Sequence, residues 1–311
     1  MQTSNSGKEI ILSFILLNYN NADYTVPCIE SIQKTLEVPY EIIVVDNASA
    51  DDSLERLSKI EDITLVKNSA NRGFTGGNND GVRAARGKYV VILNNDTTVY
   101  ASNINELPAV FDSHGRYDVI GGRMVGIDGK AQTSGGFEPS PVIFYLQFIL
   151  LCYIYIKLPW LKSFWFTEWT DNRVVEVDWA GGCFFAMRRD TYMELGGFDE
   201  NIFIYLDEVD LHKRTREKEG HIYLYPNFII QHYGFISWRG NNHVGVRHNY
   251  NSASYYLGKY YSRFHKLLFI SAVKLINLLY LPGLFIMSLF TIRKVKVIND
   301  KLKICWTLLL A

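Results

Sequence analysis

The chain has 311 residues, 48% hydrophobic and 14% aromatic, with 32 Lys and Arg against 32 Asp and Glu. That composition excludes a disordered chain, and a formal charge of zero argues against a nucleic-acid partner, which selects a basic excess. Cys28, Cys152, Cys183 and Cys305 stand far apart with no Cys-x-x-Cys pair, which disfavours a disulfide framework or zinc site and points to a reducing cytosol. The length suits one large or two small domains.

Residues 1–9 are polar, and the apolar run at 10–17 lacks the basic start and cleavage site of an export signal. It reads as a buried strand, with the body of the chain facing the cytosol. Asp23 is expected to cap a helix reaching about Leu36, with Pro27 tolerated in its first turn. Residues 41–45 read as a second strand ending at Asp46, 51–59 as a helix, and 63–67 as a third strand. Residues 77–86 read as a helix stopped by Gly87, and 89–93 as a fourth strand ending at Asn94-Asn95-Asp96-Thr97. Short apolar strands alternating with helices predict a parallel sheet covered on both faces, with ligands beyond the carboxyl ends of its strands. Polar clusters at 18–21, 46–49, 68–79 and 94–97 fall at those ends and mark the candidate site.

No Gly-x-x-x-x-Gly-Lys-Ser/Thr is present, and Asn-Tyr-Asn-Asn follows the first strand where a dinucleotide fold has Gly-x-Gly-x-x-Gly. The stretch from Gly73 to Asn79 can bring backbone close to a ligand and open a helix toward an anion, but taken alone it reads first as an ordinary glycine-rich turn. Asp96 could share Mg²⁺ or Mn²⁺ with substrate phosphates, or simply make an Asx turn or cap the next helix. Residues 178–187 read as a strand entered through Gly181-Gly182, and 196–200 as a loop. A helix is expected from near Asp207 to Glu219, ending at Gly220. Asp207, Glu208 and Asp210 in its first turn and Lys213, Arg214, Arg216 and Lys218 after them complement the helix dipole, and Asp210 can pair with Arg214. A functional reading needs one of these carboxylates left free to take a proton from an acceptor hydroxyl.

These segments recur in the order of a known family. They are Leu17-Asn18-Tyr19-Asn20, Val44-Val45-Asp46-Asn47-Ala48-Ser49, Asn71-Arg72-Gly73-Phe74-Thr75-Gly76-Gly77-Asn78-Asn79 and Leu93-Asn94-Asn95-Asp96-Thr97. Gly197-Phe198-Asp199-Glu200, Asp207-Glu208-Val209-Asp210-Leu211 and His232 after Tyr225-Pro226 complete the set, over roughly residues 10 to 240. The chain resembles the family 2 glycosyltransferases of GT-A fold, especially the rhamnosyltransferase-like group of bacterial polysaccharide assembly.

The resemblance implies an α/β, Rossmann-like, mostly parallel sheet flanked by helices in residues 1–259, with a nucleotide-sugar half at 1–98 and an acceptor half at 99–259. It implies that Asp46 meets the nucleotide base, with Asn18, Tyr19 and Asn20 lining the same pocket. Arg72 and Asn78 would lie near the ribose or diphosphate, and Asn47, Gly73 and Asn95 complete the nucleotide-sugar set. Asn94-Asn95-Asp96 occupies the family's metal motif, usually richer in Asp, with Asp96 its ligand for Mg²⁺ or Mn²⁺. His232 would be a further ligand, as in some relatives, or else a satisfied loop residue. Trp179, Gly181 and Gly182, with Asp210, would form the acceptor floor, although a buried Trp on a strand is commonly core.

The family usually has Glu-Asp-x-Asp-Leu, its second-place Asp being the base, whereas this chain has Asp207-Glu208 in reverse order. Glu is one methylene longer, and a misplacement of about 1 Å can cost ~10²-fold in rate. Glu208 is the expected base, with takeover by Asp207 or weak activity as the other outcomes. The implied reaction is a single inverting displacement from a dTDP- or UDP-linked donor, rhamnose first among the sugars, to a glycan or lipid-linked glycan. The alternative is a catalytically silent nucleotide-sugar-binding or scaffold protein of a membrane assembly complex.

Residues 142–156 are apolar except for Gln147, but a span needs ~20 residues. A span here would also put Asp96 and Glu208 on opposite sides of the membrane. A core or interfacial segment is expected, with Tyr153, Tyr155, Trp160 and Trp165 suited to an interface. Residues 267–290 are long enough to span but contain Lys274, Asn277, Pro282 and Gly283. Lys259, Arg263 and Lys266 precede them, and Arg293, Lys294 and Lys296 follow. Basic residues at both ends predict helices lying on an anionic leaflet, so residues 260–311 are expected to attach the chain peripherally to the cytoplasmic face of the membrane. Packing on the catalytic domain, packing on a homodimer partner, and a true span are the alternatives.

Overall fold

Leu12, Phe14 and Leu16 point to one side of the first strand and Ile15 to the other, and all four are fully buried, so the strand is covered on both faces. The computed structural model describes residues 9–100, 103–146, 165–166, 172–234, 242–290 and 295–311. The polar start at 1–8, Tyr153, Tyr155, Trp160, Arg293 and Lys294 lie outside the described residues, and of Trp165 and Lys296 only the backbone is described. Two compact units share the chain. One comprises Met1–Glu138, Lys162–Glu200 and Asp207–Ser237; the other comprises Pro139–Leu161, Asn201–Leu206 and Trp238–Ala311.

The first unit begins as β1 (Leu12–Asn18), α1 (Ala22–Thr35), β2 (Tyr40–Asp46), α2 (Ser53–Leu57), β3 (Thr64–Lys67), α3 (Gly73–Ala84) and β4 (Tyr89–Asn94). Parallel pairing gives the order β3-β2-β1-β4. Asp23 lies within the first turn of α1, and Asn21 holds the N-cap position without a side-chain bond.

The glycine run departs from expectation, because α3 starts at Gly73 and takes in the glycines instead of following them. A Cβ on Gly77 would stand 2.3 Å from Leu17 Cδ1, and one on Gly81 2.4 Å from Ile15 Cγ2. These glycines let the helix lie close on β1, and that packing overrides their poor helix propensity. Gly87 is likewise no cap: α3 closes at an extended Ala85, and the Gly87 N–H donates to Ser13 Oγ at 2.9 Å.

The chain continues through β5 (Thr97–Val99), α4 (Leu107–Asp112), β6 (Val119–Val125), β7 (Gly135–Gly136), β8 (Trp165–Phe166), β9 (Val175–Val177), β10 (Trp179–Ala180) and β11 (Phe184–Arg188). Then come α5 (Arg189–Glu194), α6 (Asp207–Arg216) and β12 (Ile222–His232). β11 inserts antiparallel between β4 and β6, β12 runs parallel to β6, and β5 and β9 pair antiparallel with β12. The single strand expected at 178–187 is two strands broken at Gly181-Gly182-Cys183, β10 joining a small sheet with β7 and β8. A register shift between Tyr225 and Ile229 absorbs Pro226 inside β12. The strand then runs on to pair with β5, setting His232 opposite Thr97.

The second unit holds α7 (Asn242–Tyr260), α8 (Arg263–Phe290) and α9 (Val295–Leu310), which pack on one another. Within it Phe144 is buried against Tyr256, and the Tyr145 ring lies 6.1 Å from that of Phe269. The described part of the apolar segment beginning at 142 therefore contributes to this unit's core.

Candidate active site

The amides and carboxylates at the ends of β1 and β2 bind one another. Asn18 is fully buried; its Nδ2 donates to Asp46 Oδ1 (2.9 Å) and Ser49 Oγ (3.1 Å), and its Oδ1 accepts from Thr25 Oγ1 (2.7 Å). The Ser49 N–H donates to Asp46 Oδ2 at 3.1 Å, so the Asp46 carboxylate is fixed in orientation. Asn20 stands at a left-handed φ of 51° and accepts the N–H of Ala50 at 2.7 Å, while Tyr19 is 46% exposed beside this group.

Asn47 organises the next loop. Its Oδ1 accepts from Asn68 Nδ2 and the Arg72 N–H, both at 3.1 Å, and its Nδ2 donates to Asn71 Oδ1 and Gly73 O, both at 3.0 Å. Arg72, expected near the ribose or diphosphate, reaches Asp80 Oδ2 and Glu200 Oε2, each at 2.6 Å, and ties α3 to the 196–200 loop. Asn78 is buried and donates within its own helix to Phe74 O at 2.8 Å.

A second cluster forms where β4 turns through Asn94-Asn95-Asp96. Asn95 Nδ2 donates to Thr25 Oγ1 at 2.7 Å, which links this turn through Asn18 to Asp46. His232 Nε2 lies 3.4 Å from Asp96 Oδ1 and 3.2 Å from Cys183 Sγ, and its Nδ1 is 2.7 Å from Gln132 Oε1. Burial alone would lower the His232 pKa, but Cys183 and Asp96 reverse that and raise it. Burial also pushes the Cys183 thiol up and keeps it neutral, so at neutral pH the attraction comes from Asp96.

The third component is the first turn of α6. The Glu208 carboxyl carbon and the Phe74 ring edge each stand 3.8 Å from where a Gly182 Cβ would be. Burial lifts the Glu208 pKa to about 7, against opposing hydrogen bonds from its own N–H and that of Gly182. The fields of Asp96 and Glu208 both act on Cys183 and add to the rise in its pKa. Two acids 112 residues apart in sequence thus act electrostatically on one thiol.

The expected acceptor set divides. Asp210 is fully buried, and its Oδ2 accepts from Arg214 Nε at 2.9 Å and Nη2 at 2.8 Å. Arg214 in turn donates to Leu195 O and Gly197 O at 2.6 and 2.8 Å, so Asp210 supports the 196–200 loop from inside. Trp179 is 5% exposed and donates Nε1–H to Phe137 O at 3.1 Å, as a core residue does, and the Gly181 N–H donates to Ser134 O at 2.9 Å. Gly182 of that group stands beside Glu208. Cys183, Gln132, Thr25 and Phe74 belong to the cluster without having been expected there. Cys183 carried one sequence signal, its place directly after Gly181-Gly182 at a strand start.

Asp96 and His232 offer one carboxylate oxygen and one imidazole nitrogen side by side, once His232 gives up its proton. Mg²⁺ or Mn²⁺ fits such a pair when water and phosphate oxygens complete its shell. Among the described residues no three His, Cys, Asp or Glu side chains form a metal-holding group, so a cation here would draw on a phosphate ligand.

The model of glycosyl transferase family 2 matches residues 13–196. Low-salt glycan biosynthesis hexosyltransferase Agl10 of Haloferax volcanii is 25% identical over 215 residues, 68% of this chain and 63% of that protein. The N-acetylglucosaminyl-diphospho-decaprenol L-rhamnosyltransferase of Mycobacterium tuberculosis is 22% identical over 241 residues, 72% of this chain and 76% of that one. This chain thus spans slightly less than two thirds of the Haloferax relative. Among solved structures, mannosyltransferase PcManGT from Pyrobaculum calidifontis with GDP-Man and Mn²⁺ superposes with TM-score 0.50 at 16% identity, covering 97% of this chain and 86% of that one. GalNAc-T7 with UDP, GalNAc and Mn²⁺ gives TM-score 0.54 at 15% identity, covering 73% and 44%. At these identities the likeness establishes the fold, which is GT-A.

Proposed function

The chain belongs to glycosyl transferase family 2, and from that premise we propose that it moves a hexose from a nucleoside-diphosphate donor to a lipid-linked glycan, inverting the anomeric centre. The observation that carries the proposal is that His232 sits between Asp96 and Cys183 while the Glu208 carboxyl stands beside Gly182, the residue next to Cys183. Asp46, held by Asn18 and Ser49, accepts from the nucleotide base, and the Asn95 turn lies near the diphosphate. Residues 1–98 serve the donor, 99–259 the acceptor and 260–311 the membrane.

Glu208 removes the proton from the acceptor hydroxyl as that oxygen attacks the anomeric carbon and the bond to the diphosphate breaks. Its pKa near 7 suits it to take a proton at neutral pH. Asp207, buried at the helix start, is the other carboxylate that could take this proton. Asp96 and His232 would hold Mg²⁺ or Mn²⁺, which would offset negative charge on the leaving diphosphate. The donor is dTDP- or UDP-linked, with rhamnose the first sugar to test, supported by the rhamnosyltransferase relative. The product belongs to a cell-surface polysaccharide, and the enzyme works peripherally at the cytoplasmic face of the membrane, supported by relatives whose names carry lipid-diphosphate acceptors.

A thermal-shift screen of nucleoside diphosphates with and without Mn²⁺ tests the donor site. Asp96→Ala should abolish the Mn²⁺-dependent part of the shift. Glu208→Gln should keep the shift but lose nucleoside-diphosphate release by ~10²-fold or more. Donor binding without release across a panel of lipid-linked acceptors would overturn the catalytic reading.

A further inference from the structure

α8 shows its apolar side to solvent. Phe264 is 68% exposed and Leu279 71%, and Leu267, Leu268, Leu275 and Leu278 are exposed between them. Steps of three and four residues set these side chains, with Ser271 and Pro282, along one face about 27 Å long at 1.5 Å per residue. Phe269, Val273 and Asn277 on the opposite face are buried, and the Phe269 ring stacks 5.6 Å from that of Tyr250 in α7. At about 100° per residue, Arg263 and Lys274 fall on one flank of the exposed face. A contiguous apolar face of this length marks an interaction surface.

Charge identifies the partner. The chain is neutral overall, yet α7, α8 and α9 contain eight Lys and Arg against a single acid, Asp300. The residues Arg263–Pro282 are long and apolar enough to cross a bilayer. In a spanning orientation, however, the helices covering the buried side of α8 would carry Arg247, Lys259, Asp300, Lys301 and Lys303 into hydrocarbon, which excludes charge. A helix with one apolar face bare and the other roofed by cationic helices matches the boundary between headgroups and acyl chains.

We propose that the outer face of α8 docks in the plane of an anionic membrane leaflet, with Phe264, Leu267, Leu268, Leu275, Leu278 and Leu279 entering the acyl region and Arg263 and Lys274 at headgroup level. This gives the membrane location in the proposed function a defined surface. The test uses the full chain with vesicles of phosphatidylcholine alone or mixed with phosphatidylglycerol. Wild type should sediment with the mixed vesicles and be released by alkaline carbonate. The double variant Leu275→Glu/Leu279→Glu changes only exposed positions. It should keep its melting temperature and nucleotide-induced shift while losing vesicle binding ~10-fold or more. Arg263→Gln/Lys274→Gln should lose ~10-fold on mixed vesicles and little on phosphatidylcholine. Unchanged binding in the Leu→Glu pair, resistance to carbonate, or a lipid-free dimer that this pair dissociates would each overturn the proposal, the last two in favour of a span or a second copy. Glycosyl transfer is not read in this assay, so vesicle binding stands or falls apart from the proposed activity.

Discussion

Glu208 joins two consequences in one carboxyl group. Its ordinary pKa is 4.5 and its pKa here is about 7, so the folded chain holds this proton more tightly than the unfolded chain does. The stability gained is complete below pH 4.5 and is lost as pH rises through 7. Glu208→Gln removes that loss, and the variant should gain about 1–3 kcal/mol at pH 8 and nothing at pH 4. Thermal melts at the two pH values check this; a variant no more stable at pH 8 contradicts the burial described. The same titration sets the rate, because only the ionised carboxylate accepts the hydroxyl proton. kcat/KM of the wild type should rise with pH to a plateau with a midpoint near 7, and the residual rate of Glu208→Gln should lack that limb.

At the scale of elements, the close seat of α3 on β1 rests on absent side chains. Gly81→Ala would place its methyl 2.4 Å from Ile15 Cγ2 and 3.1 Å from Val45 Cγ2. The overpacking should cost about 1–3 kcal/mol, exceeding the ~1 kcal/mol that alanine gains in helix propensity. Urea unfolding should show a lower midpoint with an unchanged slope. Arg214→Met should cost more, about 3–5 kcal/mol, because it removes the cation paired with the buried Asp210 carboxylate.

The strands β1 to β4 were legible in sequence to within a residue or two, because nearly unbroken apolar runs between polar ends admit few other readings, whereas β5, β6, β9 and β12 were not anticipated and 178–187 was read as one strand where the fold has two. α3 was not, since the use of Gly77 and Gly81 depends on Leu17 and Ile15 across a tertiary contact. At the site, the residue types at the strand ends were legible and their partners were not. His232 meets Cys183 across 49 residues and Gln132 across 100, and no local pattern encodes either pairing. The bonds of Arg72 to Glu200 and of Trp179 to Phe137 likewise come from other parts of the fold, whereas the pairing of Asp210 with Arg214 was legible at i+4 and the onward bonds of Arg214 to Leu195 and Gly197 were not.

At the scale of the whole molecule, the strand order sets how far the chain can be divided. β4 is flanked by β1 on one side and by β11, from the other half of the chain, on the other. A fragment ending at residue 98 would leave Val91, Ile92 and Leu93, all buried in the intact sheet, on an open edge. Expressed alone it should aggregate, whereas the full chain, in which β11 covers that edge, should stay soluble; gel filtration distinguishes the two.

That same insertion of Phe184–Arg188 has a cost during translation. The ribosome finishes β4 at Asn94 and must add about 90 residues before the strand that seals it emerges, roughly 5–20 s at common elongation rates. For that interval the nascent chain exposes a ready-made template for pairing with its neighbours on the polysome. Its yield in the cell should therefore depend on chaperone supply and on codon usage between positions 95 and 184 more than on the stability of the finished protein.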